Sequence, residues 1–334
     1  MNILVTGGAG FIGSNFVKYM SAKHNYKIIV LDALTYAGTL SNLEGIPLET
    51  NYEFVEGDIT NVKLVDAIFK LYKIDAVINF AAESHVDRSI KSPSIFIKTN
   101  ITGTHVLLEA AKKHWTVSLS KDSYPEYKEN VKFIQISTDE VYGTLGLDGY
   151  FTEETKLAPN SPYSASKASS DLLVRAYYET YGLPIVISRC SNNFGPNQHK
   201  EKLIPCMIHR ALKEKTLPIY GDGKQVRDWL YVEDHCTAID AILHKGKSGE
   251  VYNIGGNNER ENLEVVKIIV NKIGKSEGLI QFVKDRLGHD RRYAIDNTKI
   301  SKDLGWSPSY TFEQGIEKTI NWYLNNWSEI TKKQ

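Results

Sequence analysis

Two short segments carry side chains that could act together on the hydroxyl group of a sugar or an alcohol. The first places Thr138, Asp139 and Glu140 directly after an apolar run that predicts a buried strand. The second places Lys167 four residues after Tyr163, so that both lie on one face of a predicted helix. A cation beside a phenol lowers the pKa of the phenol, which can then take a proton from a hydroxyl group near neutral pH.

Either segment alone is weak evidence, because the Y-x-x-x-K spacing is common and the two acids could be solvated loop carboxylates. A glycine loop at the start of the chain supports a catalytic role for both segments. Gly7, Gly10 and Gly13 follow an apolar strand at residues 3–6 and precede a predicted helix at 14–21. Such a loop allows a tight turn, close approach of the backbone to a pyrophosphate, and close packing of helix on strand. The helix N-terminus adds free N–H groups, so the loop predicts a bound dinucleotide.

Acidic residues after the next strands indicate which dinucleotide is bound. Asp32 ends a predicted strand at 27–31 and lies roughly twenty residues past the glycine loop, where a carboxylate accepts the ribose hydroxyls. It would repel a 2′-phosphate, which favours NAD over NADP, although a helix-capping role is the alternative. Asp58 follows a strand at 52–55 and could hold the adenine or cap the helix at 62–71. Ala81 and Ala82 end the strand at 76–80 and leave room for the cofactor.

The order of predicted elements indicates an α/β fold of the Rossmann type. Strand and helix alternate about six times before residue 190, which predicts a doubly wound parallel sheet. In such a sheet the strand ends, and with them all of these motifs, meet at one edge. Residues 94–113 predict a long helix interrupted only at Gly103, and residues 116–130 predict an insertion loop.

The composition changes near residue 190, after which strands alternate with loops rich in Gly, Asn and charge. We therefore expect an NAD-binding domain at 1–190, with later segments returning to it. A smaller C-terminal α/β domain at 191–334 is expected to bind a nucleotide sugar.

Charge and residue counts exclude several classes of protein. Of the 334 residues, 40 are basic and 40 acidic, so the net charge is zero and a nucleic-acid surface is not expected. Cys190, Cys206 and Cys236 show no CxxC spacing, which favours reduced thiols over disulfides or zinc. The nine histidines show no ligand spacing, so no metal is predicted, and His85 is expected to be structural. Without a signal sequence or an apolar run of ~20 residues, the protein is expected to be soluble and cytoplasmic.

These residues resemble the extended short-chain dehydrogenase/reductase family. The resemblance rests on the opening T-G-G-A-G-F-I-G, on Asp32, and on Y-S-A-S-K at Tyr163. Within the family, Thr138-Asp139-Glu140 resembles the branch of 4,6-dehydratases that act on nucleotide-linked glucose, because sister epimerases generally lack the two acids. Further matching segments are A-E-S-H-V-D-R-S from Ala82, R-C-S-N-N-F-G-P from Arg189, R-D-W-L-Y-V-E-D-H from Arg227 and G-H-D-R-R-Y-A-I-D from Gly288.

The resemblance implies a redox-neutral conversion of dTDP-glucose to dTDP-4-keto-6-deoxyglucose. Tyr163 would take the proton of the C4 hydroxyl while NAD takes the C4 hydride, with Thr138 bonded to the C4 oxygen. Lys167 would lower the pKa of the phenol and hold the nicotinamide ribose. Glu140 would remove the C5 proton, protonated Asp139 would release the C6 hydroxyl as water, and hydride would return to C6. Burial and like charge push the pKa values of two neighbouring carboxyls apart, so that they can take opposite roles.

The resemblance also implies the binding residues and a homodimer, in which the helices after Ser94 and from Ser164 would pair. Arg227 and Arg291 would bind the diphosphate, since arginine contacts phosphate through two N–H groups. The expected cofactor contacts are Gly7, Gly10, Phe11, Ile12, Gly13, Asp32, Ala33, Leu34, Thr35, Asp58, Ile59, Phe80, Ala81, Ala82, Ser84, Thr99, Tyr163, Lys167 and Asn193. The expected substrate contacts are Ser84, Thr138, Asn192, Lys202, Leu203, Pro218, Tyr220, Arg227, Asn262, Asp290, Arg291 and Tyr293.

Two other functions remain open from the sequence. A UDP-hexose 4-epimerase would return the hydride to C4 and leave Asp139 and Glu140 unused. A non-catalytic NAD-binding sensor would keep the glycine loop without needing Tyr163 and Lys167. The product separates these alternatives: a deoxy-ketone formed with loss of water, an epimer of unchanged mass, or no product. No membrane or nucleic-acid partner is expected.

Overall fold

A computed structural model describes residues 1–46, 51–119 and 124–327. Its strands are β1 (Asn2–Thr6), β2 (Lys27–Asp32), β3 (Tyr52–Glu56), β4 (Ala76–Asn79), β5 (Thr116–Ser118), β6 (Glu126–Tyr127), β7 (Lys132–Thr138), β8 (Ile185–Cys190), β9 (Asn192–Phe194), β10 (Leu217–Tyr220), β11 (Val226–Tyr231), β12 (Val251–Ile254), β13 (Glu259–Glu261) and β14 (Ile280–Val283). Its helices are α1 (Phe11–Lys23), α2 (Val62–Tyr72), α3 (Val86–Lys91), α4 (Pro93–Phe96), α5 (Thr104–Trp115), α6 (Pro162–Tyr181), α7 (Leu203–Leu212), α8 (Val232–Lys245), α9 (Asn262–Lys272), α10 (Thr298–Leu304) and α11 (Phe312–Asn325). A π-helical segment (Ile97–Gly103) joins α4 to α5, and 3-10 turns form at Leu40–Leu43, Asp139–Tyr142 and Glu277–Leu279.

A seven-stranded parallel sheet organises the molecule, in the order β12-β8-β7-β4-β1-β2-β3. Its strands are apolar throughout because helices cover both faces. Along β1, Ile3 and Val5 join the core under α1 and α8, whereas Leu4 joins the core under α2, α5 and α6. The predicted doubly wound α/β fold is confirmed.

The strand order reverses at β1, which pairs with β2 on one side and with β4 on the other. The loops that follow β1 and β4 therefore part in opposite directions and leave a crevice at the carboxyl ends of the strands. The two loops touch where they begin, since a Cβ on Gly7 would lie 2.7 Å from the Ala81 nitrogen. The predicted cofactor motifs thus lie at the switch point of the sheet.

The chain beyond residue 190 builds two small sheets, β9-β11-β13 and β10-β14, with a hydrophobic core of their own. That core is lined by α7, α9 and α11, so the sequence interpretation of strands alternating with loops missed its helices. Two segments lie against the main sheet instead: β12 pairs with β8 at the edge, and α8 packs on α1. The domain boundary near residue 190 stays a prediction.

Several predicted elements have different bounds. The helix expected at 94–113 begins at Pro93 and runs through the π-helical segment to Trp115, so Gly103 does not interrupt it. Gly103 instead allows close packing, because a Cβ there would lie 2.3 Å from Ile59 Cδ1. The expected insertion loop contains the antiparallel pair of β5 and β6, and its residues 120–123 lie outside the described residues.

A helix that crosses a bilayer must be both long and apolar. Among residues 1–46, 51–119 and 124–327, no helix combines the two properties in the degree needed to cross a membrane.

The glycine loop leads to a stability prediction. A Cβ at position 13 would lie 2.3 Å from the Gly7 carbonyl oxygen, and both atoms belong to backbone that packs tightly. We expect Gly13→Ala to lower the free energy of unfolding by about 1–3 kcal/mol, measured by urea denaturation. Gly146→Ala is the control, because no atom lies within 4 Å of a Cβ built there. Equal stability of the two variants would contradict the close packing of α1 on the loop.

Candidate active site

The end of β7 places the hydroxyl and the two acids. Thr138 is the last residue of the strand, and its Oγ1 accepts a hydrogen bond from the Glu140 backbone nitrogen at 3.3 Å, which begins the 3-10 turn. The same hydroxyl lies 3.3 Å from Asp139 Oδ1. Asp139 is only 1% exposed, whereas Glu140 is partly exposed toward the crevice. These contacts of the Thr138 hydroxyl therefore hold Thr138, Asp139 and Glu140 together in one cluster.

The start of α6 places the phenol and the amine against that cluster. Ser161 and Ser164 cap the helix reciprocally, with two hydrogen bonds of 3.0 Å, and Pro162 occupies the first turn as predicted. Tyr163 and Lys167 are both buried, and Lys167 Nζ donates to the Ile136 carbonyl oxygen on β7 at 2.7 Å. Burial is the main influence on the pKa of the Tyr163 phenol, and the Thr138 hydroxyl acts against it by favouring the phenolate.

Burial separates the two acids electrostatically. Loss of hydration raises the pKa of Asp139 well above its usual value, and the charges of Glu140 and Asp228 add to the effect. Burial also raises the pKa of Glu140, but the cations of Lys202 and Arg227 act in the opposite direction. Asp139 is therefore the carboxyl that keeps its proton, and Glu140 is the one whose ionised form has cationic support.

The pKa of Tyr163 does not follow the sequence prediction. Burial raises it well above its usual value, and the negative charge of Glu140 raises it further. The net shift is therefore upward, because burial and the facing turn act on the phenol; that Lys167 lowers the pKa of the phenol stays a prediction. Burial also lowers the pKa of Lys167, although the carboxylate of Asp171 opposes that change.

The glycine loop presents free backbone donors. Gly10 precedes the first turn of α1, and no side chain caps the helix, so its N–H groups remain available to an anion. Asp32 accepts hydrogen bonds from the backbone nitrogens of Ala9 at 2.9 Å and Leu34 at 2.8 Å. Asp32 thus holds the glycine loop in place as well as facing the crevice, a role that the sequence did not indicate.

A single cavity of about 330 Å³ joins the glycine loop to the catalytic cluster. Its lining includes all five predicted catalytic residues and every predicted cofactor residue except Leu34, which packs against the adjacent core. Of the predicted substrate residues, Ser84, Thr138, Asn192 and Lys202 line it.

The other eight predicted substrate residues lie outside the cavity lining. Three of them form a cluster: Arg227 donates to the Asp290 carbonyl oxygen at 2.9 Å and stacks on the Tyr293 ring at 4.2 Å, and Tyr293 Oη donates to Asp290 Oδ2 at 2.5 Å. Arg291 instead pairs with Asp222 at 2.8 Å on the surface. The remaining four are Leu203, Pro218, Tyr220 and Asn262.

Some cavity residues had no signal in the sequence. Glu83 is 9% exposed and lines the cavity, and burial raises its pKa. Glu201 lies 3.7 Å from Arg88 Nε and 3.8 Å from His85 Nε2, so it connects the loop before α7 to α3. Their positions follow from tertiary packing, since Glu201 lies more than a hundred residues from its partners.

His85 caps α3 by accepting from the Arg88 backbone nitrogen at 3.3 Å, as expected of a structural histidine.

Away from the cavity, His24, Asp240 and His244 bring potential metal ligands together. His24 Nε2 lies 2.9 Å and His244 Nδ1 3.0 Å from Asp240 Oδ1, while Lys23 Nζ lies 2.8 Å from Oδ2. Protons on the two rings complete these contacts as hydrogen bonds, and a lysine ammonium already neutralises the carboxylate. The prediction of no metal stays a prediction.

Comparisons with known proteins place this arrangement among sugar-nucleotide enzymes. The profile of the GDP-mannose 4,6 dehydratase family matches residues 4–319. The dTDP-glucose 4,6-dehydratase of Xanthomonas campestris pv. campestris (strain B100) is 54% identical and covers 97% of this chain and 93% of its own. The crystal structure of dTDP-glucose 4,6-dehydratase from Bacillus anthracis in complex with NAD is 53% identical, covers 98% of each chain and has a TM-score of 0.88. The Streptomyces venezuelae enzyme, crystallised with NAD and dTDP, is 44% identical, covers 98% of each chain and has a TM-score of 0.91.

The raised pKa of Asp139 predicts the pH dependence of stability. Well below pH 3.8, the ordinary pKa of an aspartate, the carboxyl is protonated in the folded and the unfolded chain; at higher pH the unfolded chain releases a proton that the folded protein holds more tightly. This group therefore stabilises the fold at low pH, and that contribution is lost as pH rises. We expect Asp139→Asn to raise the melting temperature relative to wild type at pH 7–8 but not at or below about pH 3.

Asp222→Asn is the matched control, because Arg291 lowers the pKa of Asp222 to about 2 and the sign is reversed. Its contribution is present at neutral pH and lost as pH falls, so this variant should be slightly less stable than wild type at pH 7. The effect should be small, since the pair is solvent-exposed. A pH-independent difference between Asp139→Asn and wild type would contradict the assignment of Asp139 as a buried, protonated acid.

Proposed function

The chain belongs to the GDP-mannose 4,6 dehydratase family, and on that basis we propose that it converts dTDP-glucose to dTDP-4-keto-6-deoxyglucose with NAD as cofactor. The observation that carries the proposal is the convergence of Thr138, Asp139, Glu140 and Tyr163 at one end of a cavity whose other end is the glycine loop. A hydroxyl, a protonated acid, a base and a phenol are the groups that oxidation at C4 and loss of water from C5 and C6 require.

The cavity suits a dinucleotide. Its lining runs without a break from the uncapped start of α1, past Asp32 and Asp58, to Tyr163 and Lys167. When bound, NAD supplies the acceptor for the C4 hydride, its later return to C6, and a positive charge beside the phenol. The free N–H groups of α1 would bind the pyrophosphate, and the Asp32 carboxylate would face the adenosine ribose.

Oxidation at C4 needs a base for the hydroxyl proton, and Tyr163 Oη is placed for that role. Burial, and after it the charge of Glu140, favours the protonated phenol, so a cation must favour the phenolate during the reaction. Lys167 is the cation that lies one turn of α6 from the phenol, with its amine held by the Ile136 carbonyl. Thr138, which lines the cavity beside Tyr163, would bind the C4 oxygen and align it for proton transfer.

Elimination of water needs a base at C5 and an acid at C6. Glu140 faces the crevice, and the cations of Lys202 and Arg227 favour its carboxylate, so it would take the C5 proton. Burial beside another acid raises the pKa of Asp139 well above its usual value and favours its protonated form, so it would protonate the departing C6 hydroxyl. General acid–base catalysis of this kind is typically worth ~10²–10⁴-fold in rate.

Arg227 and Arg291 are proposed to bind the diphosphate. Arg227 is 5% exposed, and its guanidinium donates to the carbonyl oxygens of Val226 and Asp290. Neither partner neutralises its charge, which supports a role toward an anion. Arg291 is exposed and would have to leave Asp222 to reach a phosphate.

The burial of Asp139 favours dehydration over epimerisation. This burial weakens the fold at neutral pH, and the proton that it holds on Asp139 has a use in the loss of water but none in epimerisation. A non-catalytic sensor would need none of the cluster. Mass spectrometry of the products from dTDP-, UDP-, CDP- and GDP-hexoses distinguishes the three functions. Loss of one water from dTDP-glucose supports the proposal; an epimer of unchanged mass, or no product from any hexose, contradicts it.

We also propose a homodimer, formed through the face on which α4, the π-helical segment and α6 lie side by side. This face exposes large apolar side chains: Ile95 is 41%, Ile97 54% and Leu172 56% exposed. Burying such a patch between two copies would remove it from water. A cytoplasmic location is proposed as well, supported by the three cysteines, which are all free thiols.

Removing the proposed base should separate oxidation from elimination. We expect Glu140→Gln to form the deoxy-ketone at least about 10²-fold more slowly than wild type, since the C5 proton loses its acceptor. Exchange of the C5 proton with deuterated solvent, followed by NMR, should fall in parallel. Glu154→Gln, on an exposed carboxylate, is the control and should retain wild-type activity. Dehydration by Glu140→Gln at the wild-type rate would disprove the assignment.

The proposed interface can be tested by sedimentation velocity. Wild type should sediment as a dimer of the 37.7 kDa chain, and Leu172→Glu should shift it to the monomer, because a charge would be buried at the centre of an apolar contact. Leu287→Glu alters a side chain that is 80% exposed in the loop after β14, outside α4, the π-helical segment and α6, and should leave the dimer intact. A wild-type monomer, or a dimer unaffected by Leu172→Glu, would contradict the proposal.

A further inference from the structure

A buried ion pair lies directly behind the catalytic residues. Asp171 on α6 and Arg189 on β8 are 1% and 6% exposed, and Arg189 Nε donates to Asp171 Oδ2 at 2.9 Å. Asp171 lies one helical turn after Lys167, on the same buried face of α6. The pair therefore connects the helix that carries the phenol and the amine to the central sheet.

A second donor of Arg189 reaches the turn that carries the two acids. Its Nη1 donates to Tyr142 Oη at 2.9 Å, and Tyr142 Oη donates to Asn253 Oδ1 at 2.8 Å. Tyr142 is the last residue of the 3-10 turn that begins at Asp139. Arg189 and Asn253 are register partners on neighbouring strands, so these bonds form one row across the sheet.

The charge of Asp171 also acts on Lys167. The amine donates to the Ile136 carbonyl oxygen, and the charged or titratable groups around it are Asp171 and Tyr163 on α6 and Cys190 on β8. Burial raises the pKa of Cys190 to about 12, so that thiol is neutral. Asp171 is then the anion that balances the buried ammonium, and it opposes the lowering of the pKa of Lys167 by burial.

One atom of the pair argues against a purely structural role. Within the described residues, Asp171 Oδ1 is buried and has no hydrogen-bond partner. An unpaired buried carboxylate oxygen is costly, and such pairs can often be replaced by apolar residues without loss of stability. Its retention is explained if the negative charge itself is needed beside Lys167.

We propose that Asp171 and Arg189 are positioning residues that align Tyr163 and Lys167 with the acid-bearing turn and supply the counter-charge of the Lys167 ammonium. Neither residue lines the cavity, so both act through others. The activity test of this inference rests on the proposed function. The spectroscopic test follows the titration of Lys167 and does not depend on that function.

The first measurement follows Lys167 directly, by NMR titration of protein labelled with ¹³C at the lysine ε-carbon, with Lys167→Arg to assign the signal. Asp171→Asn keeps the shape of the side chain but removes its charge and leaves Arg189 uncompensated. We expect the pKa of Lys167 to fall by about 1 unit or more, the size of effect produced by a nearby opposite charge. The double variant Asp171→Asn/Arg189→Gln also lacks the counter-charge, so the pKa of Lys167 should stay below the wild-type value. An unchanged pKa in Asp171→Asn, or full recovery in the double variant, which would assign the shift to the uncompensated charge of Arg189, overturns the electrostatic part of the proposal.

The second measurement is the pH profile of dehydration. In Asp171→Asn, kcat should fall about 10–100-fold with little change in KM, since misalignment of reacting groups by about 1 Å costs that much. The alkaline limb of the kcat profile should also move to lower pH, which a loss of packing alone would not cause.

Tyr142→Phe keeps every charge and removes the hydroxyl that links the turn to Arg189 and to Asn253. It should lower kcat without moving the alkaline limb, and it keeps the test decisive if Asp171→Asn does not fold. Wild-type kcat in Tyr142→Phe overturns the alignment part of the proposal. A wild-type protein that forms no product contradicts the proposed function, whereas the NMR titration still decides the role of Asp171 because it needs no substrate.

Discussion

The removal of the Asp139 carboxyl from water is the constraint on which the site depends. Burial next to Glu140 and Asp228 makes its ionised form costly, so the folded protein binds this proton more tightly than the unfolded chain does. That retention weakens the fold at neutral pH, and it also provides a proton donor where ordinary aspartates carry none. The same burial, acting on Tyr163, holds the phenol protonated and makes the nearby cations essential to any base role.

Hydrogen bonds in the surrounding fold keep these groups at fixed separations. The Ser161–Ser164 capping box begins α6, and Lys167 is tied to the Ile136 carbonyl. On the opposite side of the crevice, the Asp32 carboxylate accepts from backbone donors of the glycine loop. Because each tie ends on a backbone atom of the sheet or of its loops, the site inherits the rigidity of a sheet whose helices cover both faces.

Motif residues were predictable because their chemistry depends on local spacing. The glycine loop, the acids after β2 and β7, and the Tyr163–Lys167 pair all follow strands or open helices, and parallel strand ends must meet at one edge. Element bounds were less predictable: the helix expected at 94–113 runs from Pro93 to Trp115, and the helices after residue 190 were missed. Those helices bury apolar faces against the small sheets, so their signal depends on contacts that local composition does not show.

Residue type and short-range periodicity were enough to predict the fold class, the cofactor loop and the identity of the groups that could react. The charge state of those groups depends instead on contacts made in the folded chain. The acids that raise the pKa of Tyr163, the cations that favour ionised Glu140 and the Asp171–Arg189 pair come from distant segments. Electrostatic energies depend on distance through space and on burial, and neither quantity can be read from the spacing of residues along the chain.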